Sequence, residues 1–120
     1  MNNTITKLAI VGSRSFNDYN KLKDEILKNY DINNLTTIIS GGAKGTDTLA
    51  EQFAKEFNLE LIVFKPDYKT YYRSAPLQRN TLIINECESC IAFPTKDSKG
   101  TLDSIKKCKK QNKHLIVINL

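Results

Sequence analysis

Tryptophan is absent from this 120-residue sequence, histidine and methionine occur once each, and cysteine occurs three times. With an odd number of cysteines and no basic-then-apolar leader at Met1-Asn2-Asn3-Thr4, a disulfide scaffold is a poor reading. A reducing cytoplasm is the expected setting. The single histidine, His114, argues against Ser-His or Cys-His nucleophilic catalysis, and it cannot complete the four ligands of a structural zinc site. Cys87-Glu88-Ser89-Cys90 has the CxxC form, but it lies where a helix feeds a strand, the reverse of the order that lowers a redox thiol's pKa. Buried structural cysteine is expected there, and neither a metal nor a cofactor. Proline and glycine together number eight, too few for a low-complexity or fibrous chain. No run approaches the roughly 18 uncharged apolar residues of a membrane helix, so no membrane partner is expected.

What is present fits one compact domain over residues 1–120: 40% of residues are hydrophobic, spread along the whole chain. The net charge of +5 is local, because residues 96–113 hold seven lysines against Asp97 and Asp103, an excess equal to that of the entire protein. Such a focused patch suits nucleic acid. It lies on an amphipathic segment, however, where lysine is also the ordinary solvated face, and no aromatic residue interleaves to stack on bases.

The apolar pattern alternates between two periods. Ile5–Gly12 is a short apolar run of the kind that forms a buried strand, followed by helical spacing from Tyr19 to Tyr30 behind a cap at Asn17 or Asp18. Strand character returns at 35–40, 59–64, 89–93 and 114–119, with helices at 46–57, from Pro76 to about Glu86, and from Thr101 to about Gln111. A polar, tyrosine-rich segment fills 65–75. Strands separated by single helices imply an α/β fold: a three-layer, Rossmann-like parallel sheet of about five strands with helices on both faces. Ligands of such sheets bind beyond the carboxyl ends of the strands. The chemistry is therefore expected in the loops at 12–17, 40–46, 65–75 and 94–100.

The strongest motif is Ser40-Gly41-Gly42-Ala43-Lys44-Gly45-Thr46-Asp47, a strand passing through a glycine-rich turn into a helix. Free N–H groups and the dipole at a helix start favour phosphate, and Lys44 adds a mobile positive charge. The bland alternative is a tight turn with Thr46 or Asp47 as a simple helix cap. A Walker loop fails because the order is Lys44-Gly45-Thr46, and the dinucleotide fingerprint fails because position 40 is Ser. Gly12-Ser13-Arg14-Ser15 supplies two hydroxyls and a guanidinium able to grip phosphate through two bonds. Thr95 through Gly100, Thr101 and Asp103 forms a second candidate cradle at the same sheet edge. Two cradles and Arg14 suit a ligand with more than one phosphate, or a phosphate and a ribose whose hydroxyls meet Asp47 or Asp103. Tyr68 offers a ring for stacking on a base, against the alternative that the tyrosine loop merely packs on the sheet. Arg79-Asn80 precedes the fourth strand, and periodicity leaves open whether Arg79 reaches a ligand or solvates its helix.

In that order, Val11-Gly12-Ser13-Arg14, Ser40 through Asp47, Arg79-Asn80, and Ile91-Ala92-Phe93-Pro94 through Gly100-Thr101-Leu102-Asp103 resemble the SLOG superfamily, in particular its small YspA (cpYpsA-related) branch. The resemblance spans about residues 5–119. It implies a Rossmann-like fold and a nucleotide-like ligand bound at these motifs. More distant members are the LOG phosphoribohydrolases, which release a base from nucleoside monophosphates, and the DNA-processing protein of transformation. The LOG motif is Pro-Gly-Gly-x-Gly-Thr-x-x-Glu, whose last residue is the catalytic carboxylate. This chain has Thr95-Lys96 in place of the paired glycines and Ser104 in place of the glutamate.

The expectation is therefore a binder, without turnover, of a nucleotide-derived molecule such as an ADP-ribose-like or cyclic nucleotide signal, acting as a sensor or as a scavenger of a mobile element or virus. A LOG-like N-glycosidic hydrolase using Arg79 with Asp103 or Asp47 is the alternative. Single-stranded DNA binding through the lysine-rich last helix is a further one. A homo-oligomer, at least a dimer, is expected.

Overall fold

The computed structural model describes residues 4–120. The reading of the start as lacking a leader falls on Met1, Asn2 and Asn3, outside the described residues.

Five strands, β1 (Lys7–Gly12), β2 (Thr37–Ser40), β3 (Glu60–Val63), β4 (Ser89–Phe93) and β5 (His114–Val117), form one parallel sheet in the order β3-β2-β1-β4-β5. The α/β Rossmann-like fold is as the sequence implies. Each of the first four strands is followed by a helical crossover: α1 (Tyr19–Asn29), α2 (Thr46–Glu56), then α3 (Tyr68–Tyr71) with a 3-10 turn (Tyr72–Ser74) and α4 (Ala75–Glu86), and finally α5 (Lys99–Lys110).

Alternation along β1 explains the layers. Leu8 and Ile10 face one way into a core with Leu22 and Ile26 of α1 and Leu49 and Phe53 of α2. Ala9 and Val11 face the other way, against Ile83 and Ile84 of α4 and Ile105 and Cys108 of α5. All three cysteines are buried and free. Burial pushes the Cys87 thiol up to about 11, as befits a core thiol rather than a reactive one.

Several boundaries differ from the sequence reading. The strands are shorter at their ends, because Ile5, Leu35 and Leu59 pack on the core from outside the ladder. The outer strands β3 and β5 are only partly covered, since each has one neighbour; Leu61 and Val117 remain exposed. The segment at 65–75 is not a plain loop. The Asp67 side chain accepts from the Thr70 amide at 3.1 Å and starts one turn of helix, after which Tyr72 turns the chain with φ of 52°. The last helix begins two residues early, at Lys99, so Gly100 and Thr101 lie in its first turn. The Asp18 cap of α1 is as expected, its carboxylate accepting from the Lys21 amide at 3.1 Å.

The chain reverses direction of growth between β1 and β4. Strands β2 and β3 are added on one side of β1, then the crossover returns to add β4 and β5 on the other. Gly12 and Phe93 pair at the carboxyl end of that seam, so the loops that follow them splay apart to open a crevice.

Candidate functional site

At this seam the Ser13 amide donates to the Phe93 carbonyl at 3.0 Å, and Thr95 Oγ1 donates to Ser13 Oγ at 3.0 Å. The two loops are thus fastened by hydroxyls. Ser98 Oγ lies 2.9 Å from Thr95 Oγ1 and accepts from the Thr95 amide, also at 2.9 Å. Because Ser98 spends its hydroxyl on Thr95, it gives no side-chain cap to α5. Among the described residues the amides of Gly100 and Thr101 have no acceptor, and a Cβ placed on Gly100 would meet nothing within 4 Å. An open helix start, with its positive dipole end, therefore faces a cleft of about 390 Å³.

Gly12, Ser13 and Arg14 line that cleft on one side; Thr95, Gly100 and Thr101 line it on another. Gly41, Asp47, Arg79 and Asn80 close the remainder. A second cleft of about 400 Å³ adjoins it, lined by Gly42, Lys44 and Tyr68, with Arg14, Gly41, Ala43 and Arg79 common to both. Gly45, Thr46 and Asp103 line neither. Gly45 has φ of 73°, and a Cβ there would lie 2.3 Å from the Arg14 carbonyl oxygen, so this glycine serves the packing of the β1 loop on α2. Thr46 is spent on the same loop: both its amide, at 3.1 Å, and its hydroxyl, at 2.8 Å, donate to the Ser13 carbonyl.

Asp47 occupies the α2 start itself. Its carboxylate accepts from the Ala43 amide at 3.0 Å, and it is 9% exposed. Burial raises its pKa above the ordinary value, against the lowering effects of the Ala43 amide and the Arg79 guanidinium. Neither Thr46 nor Asp47 is the helix cap; that position is Gly45.

Arg79 belongs to the floor of the cleft rather than to the solvated face of α4. Its Nη1 donates to the Gly41 carbonyl at 2.5 Å and its Nε donates to Asn80 Oδ1 at 3.0 Å. Burial lowers its pKa, with Asp47 opposing that shift. Asn80 Nδ2 in turn donates to the Gly100 carbonyl at 3.3 Å and to Asp103 Oδ2 at 3.1 Å. Every partner here is donor-only or acceptor-only, so the amide has one orientation. Lys107 Nζ pairs with Asp103 at 2.6 Å, which holds that carboxylate between α4 and α5, outside the cleft lining. Ser104 does line it, its hydroxyl donating to the Gly100 carbonyl at 3.4 Å.

Pro76 and Leu77, at the start of α4, also line the first cleft and were not anticipated. Proline at a helix start on the carboxyl edge was their only signal. The lone histidine lies at the other edge of the sheet, its Nδ1 2.7 Å from Ser89 Oγ. The lysine-rich helix begins at the site, where exposed Lys99 lines the first cleft, and then runs away from it, with Lys106, Lys109 and Lys110 exposed further along. Lys107 and Lys113 are turned inward, the latter donating to the Ile84, Asn85 and Cys87 carbonyls at 2.6, 3.0 and 2.7 Å and so capping α4. Among the described residues no group of three or more His, Cys, Asp and Glu could hold a metal ion, and no helix is long and apolar enough to cross a membrane.

Comparison with known proteins agrees with this fold. The YspA, cpYpsA-related SLOG family model matches residues 6–71, more than half of the chain. DNA processing protein A from Streptococcus pneumoniae superposes with a TM-score of 0.76 at 20% identity, covering 93% of this chain and 50% of that one. DNA processing protein A from Helicobacter pylori, described as having a unique single-stranded DNA binding mode, superposes with a TM-score of 0.69 at 24% identity, covering 95% and 65%. The chain thus spans half to two thirds of these neighbours, and the likeness is one of fold. No curated protein matches it in sequence.

Proposed function

The chain belongs to the YspA, cpYpsA-related SLOG family, and on that premise we propose that it binds a phosphate-bearing, nucleotide-derived small molecule, such as an ADP-ribose-like or cyclic nucleotide, without turning it over. The observation that carries this reading is the open start of α5 at the β1/β4 seam, where two amides with no acceptor among the described residues, the hydroxyls of Ser13, Thr95 and Ser98, and exposed Arg14 surround one cleft. Asp47, buried and beside Arg79, suits ribose hydroxyls. Ser104, which lines the cleft where the LOG motif has its carboxylate, supports a reading without turnover, as does Asp103, held aside by Asn80 and Lys107. As a sensor the domain passes occupancy to a partner; as a scavenger it lowers the free signal. A homo-oligomer belongs to the same proposal, and light scattering above 13.6 kDa is its expected outcome.

Incubation with a panel of nucleotides, ADP-ribose isomers and cyclic nucleotides, then heat denaturation and mass spectrometry of the supernatant, tests the reading. Recovery of an intact stoichiometric ligand is expected. Free base with ribose phosphate would instead establish an N-glycosidic hydrolase, with Asp47 as the one carboxylate named for that role that lines the cleft.

A second reading, single-stranded DNA, is favoured by the binding mode described for the Helicobacter pylori protein. Its phosphates would follow the cleft, which Lys99 lines, rather than the body of the lysine-rich helix, where Lys106, Lys109 and Lys110 are exposed. Binding of an oligothymidylate that falls steeply with salt, and is lost with Arg14→Ala but kept with Lys106, Lys109 and Lys110 changed to Gln, would establish it.

A further inference from the structure

The second cleft is built differently from the first. It has no open helix start; its walls are the glycine turn at Gly41–Lys44, Pro66 and Tyr68. Three cationic side chains border it: Arg14, Lys44 and Arg79. Arg79 has the buried Asp47 carboxylate beside it, but neither Arg14 nor Lys44 enters a salt bridge among the described residues. Two uncompensated charges therefore face one concavity. An anion entering it gains from both, and the low-dielectric walls of the concavity strengthen those attractions over what open surface gives.

Tyr68 adds a flat face. Asp67 starts the short helix α3 and places Tyr68 in its first turn, 57% exposed yet lining the cleft. Nothing in the core requires a ring at that position. The two clefts also adjoin. Arg14, Gly41, Ala43 and Arg79 line both, and Arg79 is pinned to the Gly41 carbonyl between them, so one extended ligand can cross that shared floor.

We propose that the second cleft is a subsite for a second phosphoryl group and the sugar or base attached to it, so that the ligand class is a nucleotide carrying two phosphoryl groups rather than a nucleoside monophosphate. This rests on the reading of the first cleft as a phosphate site. Lys44 and Tyr68 then determine specificity, whereas Arg14 serves both halves. A pyrophosphate conjugate and a phosphodiester-linked dinucleotide present the same chemistry, and the probes separate them.

Titration calorimetry with AMP, ADP-ribose and the 5′-phosphorylated dinucleotide pApA tests the inference on the whole protein. At least one of the two-phosphate probes is expected to bind about tenfold or more tightly than AMP, the effect of one charge-assisted contact. Lys44→Gln should collapse that ratio toward one, Lys44→Arg should restore most of it, and Tyr68→Ala should lower it less. Arg14→Ala should weaken AMP and the larger probes alike. Preference for ADP-ribose identifies a pyrophosphate ligand; preference for pApA identifies a phosphodiester. If AMP binds and neither larger probe binds more tightly, or if the preference survives Lys44→Gln, the subsite is wrong while the phosphate site stands. If no probe binds, the phosphate-site reading has failed and this inference falls with it.

Discussion

Two helix starts meet at the carboxyl edge of the sheet, and they differ in how closely they are packed. The start of α2 is rich in glycine and closed in by the β1 loop: Thr46 is bonded to the Ser13 carbonyl, Gly45 is pressed on Arg14, and the Asp47 carboxylate takes the Ala43 amide. The start of α5 holds one glycine, over open space; at both starts the second and third amides, of Asp47 and Thr48 or of Gly100 and Thr101, have no acceptor among the described residues. A glycine-rich turn shows where backbone comes close to something. Only the packing shows whether that something is a ligand or the rest of the protein.

The same substitution at both places breaks the comparison most sharply. Gly45→Ala should destabilise by ~3 kcal/mol or more, or prevent folding, because the new Cβ meets backbone at an unfavourable φ. A melting temperature within a degree or two of the parent would show that the β1 loop does not lean on α2.

Arg14→Ala comes next. The exposed guanidinium should cost ~1.5–3 kcal/mol of ligand affinity, measured by calorimetry, with little change in the melting curve. Unchanged affinity would remove Arg14 from the site.

The acid that fills the α2 start has a signature in pH. Asp47 has a folded-state pKa raised above its ordinary 3.8, so its contribution to stability is fully present below that value and is lost as pH rises through the raised one. Asp47→Asn has no such titration. Chemical denaturation across this range should show a smaller decline with rising pH for the variant, and parallel curves would mean that the carboxylate titrates as it does in the unfolded chain.

The smallest of these effects is expected at Gly100→Ala, a gain in stability of about 0.5–1 kcal/mol from helix propensity. Affinity for phosphate-bearing probes should nevertheless fall, since the methyl enters the space beside the open amides. A variant that binds as well as the parent would show that ligand does not approach this turn.

Much of the fold was legible because its signals are local. The run from Leu8 to Val11, the helical spacing through Leu22 and Ile26, and the Asp18 cap each depend on residues within a turn or two of one another. The short helix at Tyr68 was missed because its one-turn period lies inside a polar, aromatic stretch with no buried face. The start of α5 was placed two residues late because Ser98 bonds Thr95 rather than capping its own helix.

At the site the division has the same cause. Sequence alone named the two turns, Arg14 and the replacement of a carboxylate by Ser104, and it set the α/β class through apolar periodicity. Tertiary structure decided which turn has open space beside its glycine, that Arg79 lies in the floor rather than on the surface, and that on the last helix Lys99 lines the cleft while Lys106, Lys109 and Lys110 do not. Those outcomes rest on contacts between residues 33 apart, as for Thr46 and Ser13, or 38 apart, as for Arg79 and Gly41. Periodicity reports which face of an element is apolar; whether a particular amide or carboxylate is already satisfied depends on partners that only the folded chain brings within hydrogen-bonding distance.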